Sequence, residues 1–358
     1  MMGEIRLMKG NEALAEAMIR VGCDAYFGYP ITPQSEVLEY LSEQDPMSRT
    51  GMVILQAESE VAAINMVHGA AGCGKRVITT SSSPGISLMQ EGISYMAAAE
   101  IPCVIANVIR GGPGLGTIQP SQSDYFQAVK GGGHGDYKLI VLAPSTVQEM
   151  VNHVKQGFEL AEKYRTPVML LADGAIGQMM EKVELFPQIP RKKDSELPQE
   201  WATTGRGDRK LRNFITSLNI QPEKMEEINL HLQEKYRTIE ANEVQYEANN
   251  LEGAEYIFTG FGMGARICNK AAELGRAKGY KIGVIRPITL YPFPVAIYND
   301  VASKVKGIFD VEMNAGQMVE DVKLAVSGKT RVEFYGRMGG MIPSPEEILE
   351  NFEKIFIK

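Results

Sequence analysis

We predict an α/β protein in which a larger parallel-sheet domain precedes a smaller α/β domain, because three features of the sequence agree. Short apolar runs alternate with stretches of helical periodicity along most of the chain, and such alternation favours a parallel sheet covered by helices on both faces. The chain has 358 residues, enough for about two domains. Apolar residues make up 44% and charged residues 23% of the chain, as is typical of globular proteins.

The first part of the chain is predicted to alternate strands with helices. Each predicted strand is a short apolar run. The predicted strands are Asp24–Phe27, Met52–Leu55, Val77–Thr80, Cys103–Val108, Leu139–Leu142 and Val168–Leu171. The predicted helices have apolar residues three and four positions apart, and they are Asn11–Val21, Gln34–Leu41, the run that starts near Glu60, the run after SSSPG, and Val147–Tyr164. Asn11 belongs to a residue type that caps helix N-termini, so we expect it to be the N-cap of the first helix.

The amino-acid composition of the chain changes after about residue 187. The segment Phe186–Gly207 is rich in Pro and charged residues, and a long helix is predicted from Pro222 to about Ala248. We expect this helix to pack on another domain or subunit. A second α/β unit follows, with predicted strands at Tyr256–Phe258, Lys281–Ile285, Gly307–Val311 and Arg331–Tyr335, and with helices at Ile267–Lys278, after Gly316 and from Ser344. We therefore divide the chain into residues 1–187, 188–250 and 251–358.

Charge and cysteine content exclude several classes of protein. The net charge is −7, and the basic cluster Arg191–Lys193 is too short to suggest a nucleic-acid partner. Cys23, Cys73, Cys103 and Cys268 form no CxxC pair, so we expect buried thiols and neither disulfides nor a metal centre held by this chain. No leader-like or membrane-spanning apolar run is evident. We expect a cytoplasmic protein.

The turn GFGMGAR nominally satisfies a dinucleotide-binding pattern. Gly260, Gly262 and Ala265 have the required spacing. The following strand, however, ends in Arg286 and Pro287 where an acidic residue should bind the ribose, and this disfavours NAD. A glycine turn that lets a helix pack closely on a strand is the simpler interpretation, and NADP binding at Arg286 remains a rival.

Three residues form a candidate site. Glu60 follows a predicted strand and begins an apolar helix, Thr32 lies between two prolines in FGYPITP, and Arg110 begins the glycine-rich loop RGGPGLG. Open α/β sheets bind ligands at such strand ends, and a hydroxyl with a guanidinium suits a small carboxylate. Each residue also has a structural alternative: Glu60 as a first-turn acid, Thr32 as a helix cap and Arg110 as an ion-pair partner.

Several long motifs together resemble one known family. They are FGYPITPQSE, QAESEVAAINMVHGAA, SSSPGISLMQEGISY, RGGPGLGTIQPSQSDYFQA, GGGHGDY, RPITLYPFP and VEMNAGQM. In this order they resemble the α-type subunit of 2-oxoacid:ferredoxin oxidoreductases over nearly the whole chain outside Phe186–Asn250. Within the family the chain is most similar to the subunit of the branched-chain enzyme, which acts on 3-methyl-2-oxobutanoate (2-oxoisovalerate).

The resemblance implies a thiamine-diphosphate enzyme. Its pyrimidine-binding domain would form the first part of the chain, and the second domain would resemble the C-terminal domain of transketolase. The implied reaction is the CoA-dependent oxidative decarboxylation of a 2-oxoacid to an acyl-CoA and CO2, with electrons passing to ferredoxin. Glu60 occupies the position of the glutamate that binds the cofactor's aminopyrimidine, Thr32 and Arg110 the positions that contact the substrate carboxylate, and Pro30 and Ile31 belong to the same substrate loop.

The same resemblance implies that this chain holds only half of the site. The motif that binds Mg²⁺ and the diphosphate has its nearest match at Asp173 and Gly174, without the Asn that should follow about thirty residues later. A β-type subunit should therefore supply the Mg²⁺-diphosphate half and a [4Fe-4S] cluster, and smaller γ-type and ferredoxin-like subunits should complete the enzyme. Pyruvate and 2-oxoglutarate are alternative substrates, and a non-catalytic scaffold subunit is a rival class. His134 in GGGHG either contacts the substrate or is a solvated residue of a glycine-rich turn, and we derive no role for Gln317.

Overall fold

The computed structural model describes residues 4–358. Its strands are β1 (Glu4–Lys9), β2 (Ala25–Gly28), β3 (Val53–Gln56), β4 (Val77–Ser81), β5 (Cys103–Ile109), β6 (Ile140–Leu142), β7 (Pro167–Asp173), β8 (Met180–Leu185), β9 (Tyr246–Asn249), β10 (Tyr256–Thr259), β11 (Ile282–Pro287), β12 (Thr289–Tyr291), β13 (Gly307–Glu312) and β14 (Arg331–Gly336). Its helices are α1 (Gly10–Arg20), α2 (Ser35–Gln44), α3 (Pro46–Thr50), α4 (Glu60–Gly72), α5 (Ser83–Ala98), α6 (Tyr125–Val129), α7 (Val147–Tyr164), α8 (Gly174–Gln178), α9 (Pro222–Asn242), α10 (Gly262–Ala277), α11 (Val295–Ala302), α12 (Met318–Val326) and α13 (Pro345–Phe352).

The candidate site residues lie next to the strands of the larger sheet. Its seven strands run in the order β12-β6-β7-β5-β4-β2-β3, and all neighbours are parallel except β12, which is antiparallel to β6. Every residue of β5 and β7 is buried, because helices cover both faces of the sheet. Gly28 pairs with Gln56 and Ile109 with Asp173. The carboxyl ends of these strands therefore lie along one edge.

The smaller sheet forms the second unit. Its five strands run in the order β14-β13-β10-β11-β9, with β9 antiparallel to β11 and the others parallel. Edge-to-face aromatic pairs fill its core: the ring centroids of Phe258 and Phe309 lie 5.5 Å apart, and those of Phe258 and Phe352 lie 5.0 Å apart. This geometry adds to the stabilisation that the buried apolar area provides.

Several local predictions were wrong for identifiable reasons. The long helix ends at Asn242 because the following residues form β9 on the second sheet. The GFGMGAR segment is largely helical, since α10 begins at Gly262. Asn11 is not the N-cap of α1; Lys9 occupies that position, and the Asn11 amide contacts a distant loop. The antiparallel ribbon of β1 and β8 was not predicted.

Long-range contacts also cross the divisions drawn from the sequence. Strand β9 lies within the segment 188–250 but belongs to the second sheet, whereas β12 lies after residue 251 but joins the first sheet. Helix α9 packs on the first unit, where the Lys235 ammonium lies 3.0 Å from the Glu100 carboxylate. The division at residues 187 and 250 stays a prediction.

The cysteines behave as small buried side chains. All four are free thiols, and Cys23, Cys103 and Cys268 are buried while Cys73 is half-buried. Burial raises the pKa of Cys23 to about 12, so this thiol stays protonated at neutral pH. Within residues 4–358, no helix has both the length and the apolar character that crossing a membrane requires.

Candidate active site

Glu60 is a buried carboxylate that has no partner among the residues that the structure describes. It is the first residue of α4, whose N-cap is Ser59, with the Ser59 hydroxyl accepting a hydrogen bond of 3.1 Å from the Ala62 N–H. The residue is only 7% exposed, and within residues 4–358 no hydrogen bond or ion pair involves its carboxylate. Leaving a buried carboxylate unpaired is unfavourable. A ligand that donates a hydrogen bond would remove this cost.

The first turn of α5 forms the wall beside Glu60. A Cβ atom placed on Gly85 would lie 2.6 Å from the Glu60 Oε1 and 2.1 Å from the Ser81 Oγ, so only glycine fits there. The hydroxyls of Ser81 and Ser82 are fully enclosed and have no hydrogen-bond partner among the described residues. Glu60, Ser81, Ser82 and Gly85 thus form a tightly packed polar site, which we call the cradle. Its side-chain oxygens can still form hydrogen bonds.

Side chains of two helices hold the loop that carries Thr32 in place. The Asn11 amide donates to the Pro33 carbonyl at 2.7 Å, and the Gln178 amide donates to the same oxygen at 2.9 Å. Helix α2 has Gln34 at its N-cap position, so Thr32 is not the cap. The Thr32 side chain is exposed, and its hydroxyl makes no hydrogen bond to the rest of residues 4–358.

Arg110 lies next to that loop. Its Nη1 donates to the Thr32 carbonyl at 3.0 Å, and its Nη2 donates to the Leu115 carbonyl at 2.9 Å. Its Nε is enclosed and unpaired. None of the carboxylates in residues 4–358 forms an ion pair with it, so the ion-pair alternative is wrong. Within the described part of the chain, the side chain of Arg110 donates only to neutral carbonyls, which leave its positive charge uncompensated.

The structure brings the three candidates to one edge of the first sheet. The Ser83 hydroxyl accepts a hydrogen bond from the Arg110 N–H at 3.1 Å, while Gly85, two residues later in α5, touches Glu60. One helix turn therefore contacts both residues. Pro30 is exposed and Ile31 half-buried in the loop that carries Thr32.

A cleft of about 440 Å³ opens beside Arg110 towards the second unit. It is lined by Ser83, Pro113, Asn314, Gln317 and Met338, among others. Gln317 closes its base: its Oε1 accepts from the Phe126 N–H and its Nε2 donates to the Ser123 carbonyl, both at 2.8 Å. The role of Gln317 that sequence reasoning missed is thus to tie the two units together next to the site.

Family models match most of the chain. Residues 16–250 match "Pyruvate flavodoxin/ferredoxin oxidoreductase, thiamine diP-bdg", and residues 254–348 match "Pyruvate:ferredoxin oxidoreductase core domain II". The chain is 47% identical over 350 residues to ketoisovalerate oxidoreductase subunit VorB of Methanothermobacter marburgensis, an alignment that covers 98% of this chain and 97% of that protein. The chain belongs to the 2-oxoacid:ferredoxin oxidoreductase family.

Other relatives of this oxidoreductase subunit agree with that assignment. It is 36% identical to 2-oxoglutarate synthase subunit KorA of Methanocaldococcus jannaschii, over 96% of this chain and 98% of that protein. It matches 2-oxoglutarate:ferredoxin oxidoreductase from Magnetococcus marinus, solved with 2-oxoglutarate, coenzyme A and succinyl-CoA bound, with a TM-score of 0.84 and 29% identity. The match covers 98% of this chain but 65% of that one. A split-gene transketolase, at TM-score 0.58 and 12% identity, shares the fold. The predicted family and fold class are confirmed.

The cradle fits the pyrimidine end of thiamine diphosphate, the cofactor of this oxidoreductase family. A carboxylate without a hydrogen-bond partner among residues 4–358 can accept a hydrogen bond from a ring N–H of the pyrimidine. The assignment of Glu60 to this ring stays a prediction, as do those of Thr32, Arg110, Pro30 and Ile31 to the substrate. No group of three or more His, Cys, Asp or Glu side chains within residues 4–358 is arranged to hold a metal ion.

Asp173, the nearest match to the diphosphate motif of other thiamine enzymes, has a structural role in this oxidoreductase subunit. It is buried, and its carboxylate accepts hydrogen bonds from the Met263 N–H at 2.7 Å and the Ile176 N–H at 3.2 Å. Burial raises its pKa. The carboxylate occupies the N-terminus of α10, where a dinucleotide phosphate would lie, and Arg286 pairs with Glu149 at 2.6 Å. This geometry opposes the NADP alternative.

His134 does not reach the candidate site. It is exposed, and it lines a different cleft with Asn219, Met225 and other residues.

Proposed function

We propose that this chain is the pyrimidine-binding subunit of an enzyme that converts 3-methyl-2-oxobutanoate, CoA and oxidised ferredoxin to an acyl-CoA, CO2 and reduced ferredoxin. The observation that carries the proposal is the buried Glu60 carboxylate, which has no partner within residues 4–358 and lies at the same sheet edge as Thr32 and Arg110. The substrate is inferred from the relatives: identity is 47% to the ketoisovalerate subunit and 36% to the 2-oxoglutarate subunit.

Glu60 would hold and tune the cofactor. When bound, thiamine diphosphate supplies the nucleophilic carbon that attacks the 2-oxo group and accepts the electrons released on decarboxylation. A carboxylate at the pyrimidine ring nitrogen favours the tautomer in which the exocyclic nitrogen accepts a proton. Glu60 suits this task because no other group of the described chain competes for its oxygens.

Thr32 and Arg110 would orient the 2-oxoacid. The Arg110 guanidinium provides charge and paired N–H donors, and the free Thr32 hydroxyl provides a further donor beside it. Fixing the carboxylate in this way brings the 2-oxo carbon to one position, which is the contribution expected of positioning groups. Neutral carbonyl partners keep Arg110 in place without neutralising its charge.

A partner subunit would complete the site. The described residues offer no metal-binding group, and the surface around Glu60 exposes apolar side chains: Val61 is 47% and Leu88 56% exposed. Such a patch beside an incomplete site suits a protein interface. We assign to a β-type subunit the Mg²⁺-diphosphate half and a [4Fe-4S] cluster, and to smaller γ-type and ferredoxin-like subunits the route to ferredoxin.

The test is to isolate the complex with its partner subunits and to measure CoA-dependent reduction of a low-potential dye with 3-methyl-2-oxobutanoate, 2-oxoglutarate and pyruvate. We expect the highest kcat/KM with 3-methyl-2-oxobutanoate. A preference for 2-oxoglutarate or pyruvate would replace the substrate while keeping the reaction. Full turnover by a complex in which Glu60, Thr32 and Arg110 are all replaced by Ala would make this chain a scaffold subunit.

A further inference from the structure

Leu115 is an exposed apolar residue at the tip of the glycine-rich loop. It lies between Gly114 and Gly116, whose φ values are +70° and +59°, and it is 83% exposed. Glycines at these positive φ values let the chain turn sharply. The loop therefore presents Leu115 to solvent with no side chain on either neighbour.

The position of Leu115 relative to Arg110 is fixed by a hydrogen bond. The Arg110 Nη2 donates to the Leu115 carbonyl at 2.9 Å, so the Leu115 Cα lies within about 6 Å of this nitrogen by standard bond lengths. The Arg110 Nε is enclosed, which leaves the edge formed by Nη1 and Nη2 to meet a carboxylate. A carboxylate bound there would lie between Thr32 and Leu115.

Backbone hydrogen bonds close the base of the loop. The Gly111 N–H donates to the Gln119 carbonyl at 2.9 Å, and the Thr117 N–H donates to the Gly111 carbonyl at 2.8 Å. A Cβ atom on Gly116 would lie 1.8 Å from the Gly111 carbonyl oxygen, so the two ends of the turn are in close contact. The closed base and the hydrogen bond from Arg110 to the Leu115 carbonyl together place the loop tip next to the guanidinium.

We infer that Leu115 contacts the alkyl chain of the substrate and sets the preference for a branched 2-oxoacid, an inference that rests on the proposed function. In 3-methyl-2-oxobutanoate the branched carbon is two bonds and the methyl groups are three bonds from the carboxylate carbon. A carboxylate on Arg110 therefore brings the isopropyl group near the loop tip. Contact with it would bury the Leu115 side chain together with the methyl groups and stabilise the complex.

The inference is tested by Leu115→Ala in the complete complex, with Ile118→Ala as the matched control. Ile118 is 57% exposed on the same loop and makes no hydrogen bond to Arg110. We expect Leu115→Ala to lower kcat/KM for 3-methyl-2-oxobutanoate about tenfold or more relative to pyruvate, which has a single methyl group. Ile118→Ala should leave this ratio unchanged. Because Leu115 is exposed, the variant should fold and assemble normally.

Two results separate this inference from the proposed function. An unchanged substrate ratio in Leu115→Ala, in a complex whose wild type uses 3-methyl-2-oxobutanoate, overturns the role of Leu115 alone. A wild-type complex that turns over none of the three 2-oxoacids overturns the proposed function and this inference with it. A second variant, Leu115→Lys, should raise the relative kcat/KM for 2-oxoglutarate, since an ammonium replaces the apolar contact near the second carboxylate, and no gain would count against the inference.

Discussion

Glu60 differs from the other buried glutamates of residues 4–358. Three glutamates are buried there, Glu16, Glu60 and Glu312. Glu16 pairs with Arg20 at 2.7 Å and with Arg49 at 2.8 Å, and Glu312 accepts backbone N–H groups at 2.9–3.1 Å. Both therefore have the partners that burial of a charge requires. Glu60 has no hydrogen bond or ion pair within residues 4–358, which is the arrangement expected of a carboxylate that binds a ligand.

The first prediction concerns Glu60→Gln in the assembled complex. The amide keeps the size of the side chain but removes the negative charge, so we expect kcat to fall about a hundredfold or more. Thermal stability should stay equal or rise, because an unpaired buried carboxylate is lost. Glu58→Gln is the control, since Glu58 is exposed and bonds only the neighbouring Ser59 hydroxyl within residues 4–358. Near-normal turnover of Glu60→Gln would remove Glu60 from the mechanism.

The second prediction concerns Gly85→Ala. The added methyl group would lie 2.6 Å from the Glu60 Oε1, and we expect activity to be lost together with about 1–3 kcal/mol of stability from overpacking. The matched control is Gly69→Ala in α4, where an added Cβ meets nothing within 4 Å. That change should stabilise the helix by about 0.5–1 kcal/mol. Thermal unfolding and thiamine diphosphate titration measure both effects, and a fully active, equally stable Gly85→Ala would contradict the cradle.

At the scale of elements, Thr32 and Arg110 lie in loops. Hydrogen bonds hold these loops in position. The loop with Thr32 depends on α1, because the buried Asn11 amide bonds both the Pro33 carbonyl and the Glu36 carboxylate, at 2.7 and 3.0 Å. The loop with Arg110 is closed by its own backbone. A residue more than twenty positions away thus supports the loop with Thr32, and under the proposed function we expect the packing of α1 to influence substrate affinity.

The third prediction concerns Asn11→Ala. Losing the amide leaves the Pro33 carbonyl with a single donor from Gln178, so we expect a loss of about 1–3 kcal/mol in stability. The KM for the 2-oxoacid should rise severalfold, whereas that for CoA should change little. Asn65→Ala is the control, because the exposed Asn65 amide, as far as residues 4–358 show, bonds only the Val61 carbonyl of its own helix. Equal effects on both KM values would show that Asn11 has no specific link to the substrate loop.

At the scale of the whole molecule, a buried polar network joins the two units. Arg286 of β11 donates to both carboxylate oxygens of Glu149 in α7, at 2.6 and 2.8 Å, and to the Ser145 hydroxyl at 2.7 Å. The buried His153 lies one turn further along α7. Burial lowers the pKa of His153 to about 4, with Arg286 acting in the same direction and Glu149 opposing it. Burial thus favours the neutral form of the imidazole beside this junction.

The fourth prediction follows from the sign of that shift. The pKa of His153 is lower in the folded chain, about 4, than in the unfolded chain, about 6.5, so the unfolded state binds a proton first. Folding stability should therefore fall as the pH drops from about 6.5 to about 4. His153→Gln removes this contribution, and the melting temperature should depend less steeply on pH across this window. His134→Gln, at an exposed position, should leave the wild-type slope unchanged. Equal slopes for both variants would contradict the assignment.

The sequence by itself determined the alternating strands and helices, the bounds of α7 at Val147–Tyr164, the family, and the candidate residues at the strand ends. Hydrophobic periodicity and turn residues carry this information because they act between near neighbours. Only the tertiary structure decided which polar groups meet. The Gln317 amide donates to the Ser123 carbonyl, 194 positions away in the sequence. Arg286 forms an ion pair with Glu149, and the Leu115 carbonyl accepts a hydrogen bond from Arg110. Such contacts depend on how sheets and loops pack in three dimensions, and residue spacing along the chain does not encode them.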